Sequence, residues 1–404
     1  MPADLSSPSR NPLTPEPVTA KPGSQSALRA RNRQRIIEAL VASGPQTQAE
    51  LSRQTGLSNA TVSNIVKLMH QNRLVSTEPT TSSGRRALSV RLNDTGAVAA
   101  GIDIGRSHVR VVLASLSYRI LQEKSVRLPL GHCASEGMDA ATELLEELLE
   151  RQGVDRSALL GAGVGIPGPI DRRTGTVVQG AILPEWVGIN MRQDLAERLR
   201  VPVFIDNDAN LGALAEVTWG PHGGTENLIF IKVATGIGAG LIINGSLYYG
   251  NVGITGEIGH ATISDQGLIC RCGNRGCLET IASTAIMTEL LSRSSQEPVG
   301  TADILARAAA RDPATLRVID DAGMAVGRAA ANLANTLNPE LIVVGGSLAD
   351  LGDTFLEPIR RGLLRHAVPM VDETSTVMMS SLGERAEALG AAALVLQEQG
   401  APVR

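Results

Sequence analysis

The run Gly256-Glu257-Ile258-Gly259-His260, followed by Cys270-Arg271-Cys272-Gly273-Asn274-Arg275-Gly276-Cys277-Leu278-Glu279, is the most specific stretch in these 404 residues. One histidine and three cysteines (His260, Cys270, Cys272, Cys277) make a closed tetrahedral set for Zn²⁺, with no open position for catalysis. Glycines between the ligands let the loop wrap around an ion. Three of the four cysteines fall in this short window and no apolar export segment precedes them, so metal is expected rather than disulfides. The zinc is expected to be structural, a staple across 256–280 that holds Glu257 and Glu279 against a ligand. Cys133 stands apart and is expected to be a small buried or partly buried hydrophobe rather than a nucleophile.

Upstream of this loop the chain alternates apolar strands with small-residue turns. Residues 98–105 form an apolar strand ending in Asp103, Gly105 and Ser107, and a second strand is expected over 108–114. Residues 228–233 run into Thr235-Gly236-Ile237-Gly238-Ala239-Gly240, with another strand expected over 241–244. The same strand, tight turn, strand unit therefore occurs twice, which suggests two similar α/β lobes facing a cleft. Glycines in such turns let backbone N–H groups approach an anion closely.

Between these units, Phe204-Ile205-Asp206-Asn207-Asp208-Ala209-Asn210 is an apolar strand ending in carboxylates and amides. Ligands of open α/β sheets bind at such strand ends. A carboxylate there can take a proton from a hydroxyl, and an amide can orient hydroxyls. The plainer alternative is a capped turn, with Asp208 or Asn210 starting a helix over 211–217. Near the C-terminus, Leu341-Ile342-Val343-Val344 ends in Gly345-Gly346-Ser347, and a closing helix is expected over 384–396.

The N-terminal quarter differs. Residues 1–95 carry twelve Lys/Arg against six Asp/Glu, a balance of +6; the remainder carries 25 against 35, a balance of -10. A basic head on an acidic body suggests that only the head meets a polyanion. Residues 1–24 are rich in Pro, Ser and Thr and are expected to be a disordered tail. Helical spacing appears over 27–40, with Leu28, Ile36, Ile37 and Leu40, and again over 47–55, with Ala49 and Leu51 inward. Ser58 can cap a third helix over 59–70. Its inward face would be Val62, Ile65, Val66 and Met69, and its outer face Asn59, Thr61, Ser63, Asn64 and Lys67. Residues 74–79 and 87–92 read as a hairpin wing with Arg85 and Arg86 near its tip. Helix, Gly-containing turn, polar-faced helix and wing make a winged helix-turn-helix over 25–93. Ser58, Asn59, Thr61, Ser63, Asn64 and Lys67 would meet bases or phosphates, and the two arginines phosphates or the minor groove. A small helical module that docks another protein is the alternative.

No apolar run reaches the ~20 residues of a membrane helix. With no export segment either, the expected setting is the cytoplasm, with no membrane partner.

The Asp103/Gly105 turn, Gly168-Pro169, Trp186, Asn207-Asp208, the 235–240 turn, 256–260, the cysteine cluster and 338–346 together resemble the ROK family (repressors, open reading frames, kinases) over about 96–400. The helix-turn-helix places the chain beside that family's sugar-responsive repressors, the NagC/XylR-like branch. The resemblance implies an actin-like ATPase fold with ribonuclease-H-like lobes. It implies that Asp208 matches the base of the kinases, and that Asn207, Asp208, Glu257, His260 and Glu279 bind a sugar. His260 would then serve both sugar and zinc through its two ring nitrogens. Where kinases of the family read Asp-x-Gly-Gly-Thr-Lys, this chain reads Asp103-Ile104-Gly105-Arg106-Ser107-His108. Arg106 puts a side chain where backbone approaches ATP, so ATP and Mg²⁺ use is expected to be weakened at Asp103, Gly105, Ser107, Thr235, Gly236, Gly345 and Gly346. The contrary reading is that Arg106 itself holds a phosphate and favours a phosphorylated sugar.

Three functions fit. One is a sugar-responsive regulator of an inverted-repeat operator in double-stranded DNA, acting as a homodimer or dimer of dimers. The second is a sugar kinase that also binds DNA. The third is a repressor controlled by a partner protein, against which the retained sugar set argues.

Overall fold

The computed structural model describes residues 25–82, 85–171, 174–177, 186–295 and 297–398. The expected disordered tail, 1–24, lies outside them.

The head opens with α1 (Gln25–Ser43), the short strand β1 (Gln46–Thr47), α2 (Gln48–Thr55) and α3 (Asn59–Gln71). A reciprocal cap starts α2: Glu50 N donates to Thr47 Oγ1 and Thr47 N donates to Glu50 Oε2, at 3.3 and 2.8 Å. Gly56, at φ 67°, ends it in the left-handed region that favours glycine. Ser58 then caps α3 through Thr61 N. Val62, Ile65, Val66 and Met69 are buried, as their 3.6-residue spacing requires. Two of the apolar helix positions are not in the core, and for Ala49 this corrects the inward placement. Leu28 is exposed in the opening turns of α1, ahead of Ile36, Ile37 and Leu40, which carry the packing. Ala49 is exposed in the first turn of α2, facing a groove toward Pro79, Ala87 and Leu88; only Leu51 points inward. Strands β2 (Val75–Ser82) and β3 (Arg85–Leu92) form the wing, paired antiparallel from Val75↔Leu92 to Ser82↔Arg85, with β1 added on β3.

The first lobe contains β4 (Val98–Ile104), β5 (His108–Ser115), β6 (Ile120–Arg127), α4 (Ala134–Gln152), β7 (Leu159–Ile166), the small pair β8 (Ile170–Asp171) and β9 (Thr176–Val177), α5 (Met191–Leu199), β10 (Val203–Asn207) and α6 (Asp208–Thr218). The second contains β11 (Leu228–Val233), β12 (Ile237–Ile243), β13 (Ser246–Leu247), α7 (Glu279–Ala282), α8 (Thr284–Ser295), α9 (Thr301–Ala309), α10 (Pro313–Leu337), β14 (Leu341–Gly345), α11 (Asp353–His366), α12 (Pro369–Thr374), β15 (Thr376–Met379) and α13 (Ala386–Glu398). The sheets run β10-β7-β4-β5-β6 and β13-β12-β11-β14-β15. In each, an antiparallel meander leads to two parallel neighbours, so the repeated unit of the sequence is a repeated sheet.

One turn is shorter than expected. β12 already starts at Ile237, so Gly238 and Gly240 are strand residues. Gly240 is needed for packing: a Cβ there would lie 2.2 Å from the carbonyl oxygen of Ala209 in α6. Likewise, a Cβ on Gly101 or Gly163 would lie 1.9 Å from a carbonyl of α13. The two helices α6 and α13 therefore lie directly on the sheets, between the lobes. The core of the head is continuous with the body, since Ile36, Leu51 and Met69 share one buried cluster with Leu116, Tyr118, Val395 and Leu396. Among the described residues no helix is long and apolar enough to cross a membrane.

Candidate functional site

The cleft between the lobes encloses about 630 Å³ and is walled by the ends of β4, β10 and β11, the 234–236 turn and the cysteine loop. Asn207, Asp208, Glu257, His260 and Glu279 all line it. The helix begins earlier than expected: Asn207 is its cap and Asp208 its first residue, and both line the cleft. Asn207 Oδ1 caps α6 by accepting from Ala209 N at 2.9 Å, while its amide donates to the Gly168 carbonyl at 3.0 Å. Asp208 then starts the helix with its carboxylate in the cleft. Beneath them Asp206, buried, accepts from Asn210 Nδ2 and from the Tyr249 hydroxyl, which fixes the strand end.

Sequence reading missed the group that faces Asp208. Lys232, on β11, donates to Asp208 Oδ2 at 2.9 Å and lies 2.9 Å from Glu387 Oε1, at the start of α13. All three side chains are mostly buried, at 14%, 14% and 4% exposure, so this is a buried pair rather than a surface contact. Burial disfavours the Lys232 charge, but Asp208, Glu387 and Asp103 outweigh it and raise its pKa. The sign was present in the sequence, a lone lysine inside the apolar run LIFIKV. Its partner Glu387 lies 155 positions away and could not be paired with it by inspection.

Glu257 sits among carboxylates. Burial, then Asp208 and Glu279, push its carboxyl up to about 7 against the pull of Arg271. Glu279 opens α7; its Oε2 accepts from Ile237 N at 3.3 Å and its Oε1 accepts from Arg271. Arg271, between two cysteines, thus ties their loop to the cleft.

The expected metal set is assembled. The ligand atoms of His260, Cys270, Cys272 and Cys277 all lie within 4.8 Å of one another. Burial and the neighbouring sulfurs push the Cys277 thiol up to about 12, the mark of crowded thiols that a cation would relieve. The donor set and its compactness fit a tetrahedral ion. His260 turns Nδ1 toward Cys270 Sγ at 3.5 Å and Nε2 toward Glu257 at 4.0 Å, one nitrogen on each side.

Of the residues expected at the phosphate turns, Asp103, Gly105, Ser107, Thr235, Gly236 and Gly346 line the same cleft. Gly345 is buried and does not line the cleft; a Cβ there would meet the Phe230 ring at 2.4 Å, so its small size serves packing. His108 Nε2 lies 2.7 Å from Asp103 Oδ2. Burial opposes charge on both, yet each group's attraction for the other prevails: His108 is raised and Asp103 lowered. Buried His132 underpins the turn, with Nε2 2.9 Å from the Gly105 carbonyl and its own carbonyl accepting from Trp186 Nε1.

On the head, Asn59, Ser63, Asn64 and Lys67 are exposed along α3, and Thr61 is half-buried, with its hydroxyl 2.8 Å from that of Ser58. Ser58 is thus engaged first in capping. Arg86 is exposed on β3, while the side chain of Arg85 is outside the described residues.

A winged helix-turn-helix head on a two-lobed, kinase-like body with a carboxylate-lined cleft defines a class of ligand-responsive DNA-binding proteins. The chain belongs to the ROK family, whose model matches residues 99–398, and residues 31–86 match the MarR family. It is 30% identical over 391 residues to a putative xylose repressor of Caldicellulosiruptor sp. (strain Rt8B.4), covering 93% of this chain and 98% of that one. It is 32% identical over 314 residues to a glucokinase of Halalkalibacterium halodurans, covering 74% of this chain and 95% of that one. Among solved structures, a ROK family transcriptional regulator, homolog of the Escherichia coli MLC protein, superposes with a TM-score of 0.77 at 25% identity, covering 92% of this chain and 97% of the other. The fold is therefore a helix-turn-helix head followed by the actin-like body shared with sugar kinases.

Proposed function

We propose that this chain is a sugar-responsive transcriptional repressor of carbohydrate metabolism, with residues 25–93 reading DNA and 96–400 sensing a sugar or sugar phosphate. The observation that carries this reading is the joining in one chain of an exposed polar helix face and a cleft that gathers Asn207, Asp208, Glu257, His260 and Glu279. Carboxylates and amides suit a sugar because each can hold adjacent hydroxyls. The relative named a xylose repressor supports a carbohydrate effector. In this reading His260, Cys270, Cys272 and Cys277 hold a structural Zn²⁺ that fixes Glu257 and Glu279. Paired chains in the cytoplasm place two α3 helices on an inverted repeat, with half-sites one or two helical turns apart.

The second reading, an active sugar kinase, is favoured by Asp208 on the cleft wall and by the glucokinase relative. Against it stand Lys232, which occupies the Asp208 carboxylate, and Arg106 in the phosphate turn. Zinc-loaded protein supplied with ATP, Mg²⁺ and a panel of sugars is expected to release no ADP above the Asp208→Asn control. Sugar-dependent turnover lost in that control would make the chain an enzyme as well.

A further inference from the structure

Apart from Arg127, exposed at the rim, each cation of the cleft but one has a carboxylate of its own among the described residues. Lys232 is held by Asp208 and Glu387, His108 by Asp103, and Arg271 by Glu279. Arg106 has none: no carboxylate of the described residues lies within ion-pair distance, and its Nε is buried without a hydrogen-bond partner. Its charged surroundings are Arg271, which repels it, and Glu279, which attracts it, so one carboxylate serves two guanidinium groups. Burial and Arg271 together lower its pKa, which is the cost of a cation still lacking its counter-charge.

The place of this surplus charge matters. Arg106 follows the Gly105 turn on the first lobe, and Arg271 reaches in from the cysteine loop on the second. Ser107, exposed in the cleft lining beside Arg106, adds a hydroxyl. Both arginines border Glu279, which also belongs to the sugar set. An anion between them would lie beside the sugar hydroxyl sites, within the span of one ligand. Guanidinium forks suit planar or tetrahedral oxyanions because two parallel N–H groups meet two oxygens.

We propose that Arg106 and Arg271 form an anion subsite that makes this cleft a receptor for phosphorylated sugars. The proposal rests on the sugar reading of the cleft and narrows it. It explains why an arginine stands in a turn where kinases keep glycine: the turn holds a phosphate that the ligand brings, rather than one that ATP donates.

Calorimetry on the zinc-loaded full chain tests this with inorganic phosphate, with aldohexoses and aldopentoses paired with their monophosphates, and with AMPPNP. The expected result is that inorganic phosphate binds, and that at least one sugar phosphate binds ten-fold or more tighter than its neutral partner. Arg106→Gly should erase both effects, and Arg106→Lys should retain part of them; thermal melts of each variant report folding. Neutral sugars binding as tightly as their phosphates would overturn the proposal and leave the sugar reading standing. Phosphate binding that depends on Arg106 with no sugar bound at all would keep the subsite and overturn the sugar reading. AMPPNP bound through Arg106, with no preference between sugar and sugar phosphate, would assign the charge to a nucleotide and overturn the proposal.

Discussion

Lys232 is the residue on which the proposed loss of kinase chemistry turns. A base must be free to accept a proton, and Asp208 is instead held against an ammonium 2.9 Å away in a mostly buried setting. Removing one partner of such a pair costs about 3–5 kcal/mol, so the contact is one the fold depends on. A second buried carboxylate is less well served. Glu216, on α6, accepts from Ser380 through Oε1, while Oε2 has no hydrogen-bond partner and lies 3.7 Å from His222 Nε2. Burial, opposed by the Ser380 bond and aided by Glu387, pushes it up from 4.5 to about 7. An acid whose folded pKa is raised costs stability as pH climbs from its unfolded pKa through its folded one. Stability should therefore fall between about pH 4.5 and 7 on account of this group. Glu216→Gln should be nearly neutral at pH 5 and stabilising at pH 8, by on the order of 1–3 kcal/mol in denaturant titrations. His222, whose burial lowers its pKa, acts in the opposite sense, and the variant comparison separates the two. An equal effect at both pH values would contradict this assignment. Neither Ser380 nor Glu387 could be connected to Glu216 from spacing, because the three meet only when α6, α13 and the residue after β15 pack together.

At the scale of elements, the most local signals were the most legible. The α3 face followed from spacing alone, because a cap and a 3.6-residue period are fixed within a dozen residues. The cysteine loop was legible because a metal set is a matter of ligand type and interval. Leu28 and Ala49 are exposed in their helices, because apolar character does not tell which end of a helix reaches its neighbours. The glycines of β12 were assigned to a turn because their real reason, the approach of α6, is tertiary. Two tests belong here. Cys272→Ser should lower zinc content by metal analysis and abolish the ligand response of operator binding, since the loop no longer holds Glu257 and Glu279. A full response without metal would refute the staple role. Lys67→Ala, on the exposed face of α3, should weaken operator binding and flatten the log–log salt slope by about 1. An unchanged slope would remove Lys67 from the phosphate contacts.

At the scale of the molecule, α13 spans the distance between the two sites. Its first turn carries Glu387 against Lys232 in the cleft, and its later residues Val395 and Leu396 share a buried cluster with Ile36, Leu51 and Met69 of the head. A ligand that draws on Asp208 alters the contacts of Lys232 and hence of Glu387, at one end of a rigid helix whose other end packs toward the head. Coupling of this kind needs ligand affinity to differ between two arrangements of the lobes, and it is reciprocal. The paired-lobe plan was readable from the repeated strand units, whereas this path was not, since it depends on which helix lies against which sheet. The most direct test is fluorescence anisotropy of a labelled operator, selected from random duplexes by the zinc-loaded protein, titrated with and without sugars and their phosphates. The account predicts that at least one of them shifts operator affinity by about ten-fold or more, a coupling of ~1.4 kcal/mol, and that Glu257→Gln erases the shift. Operator binding indifferent to every sugar and sugar phosphate would contradict it.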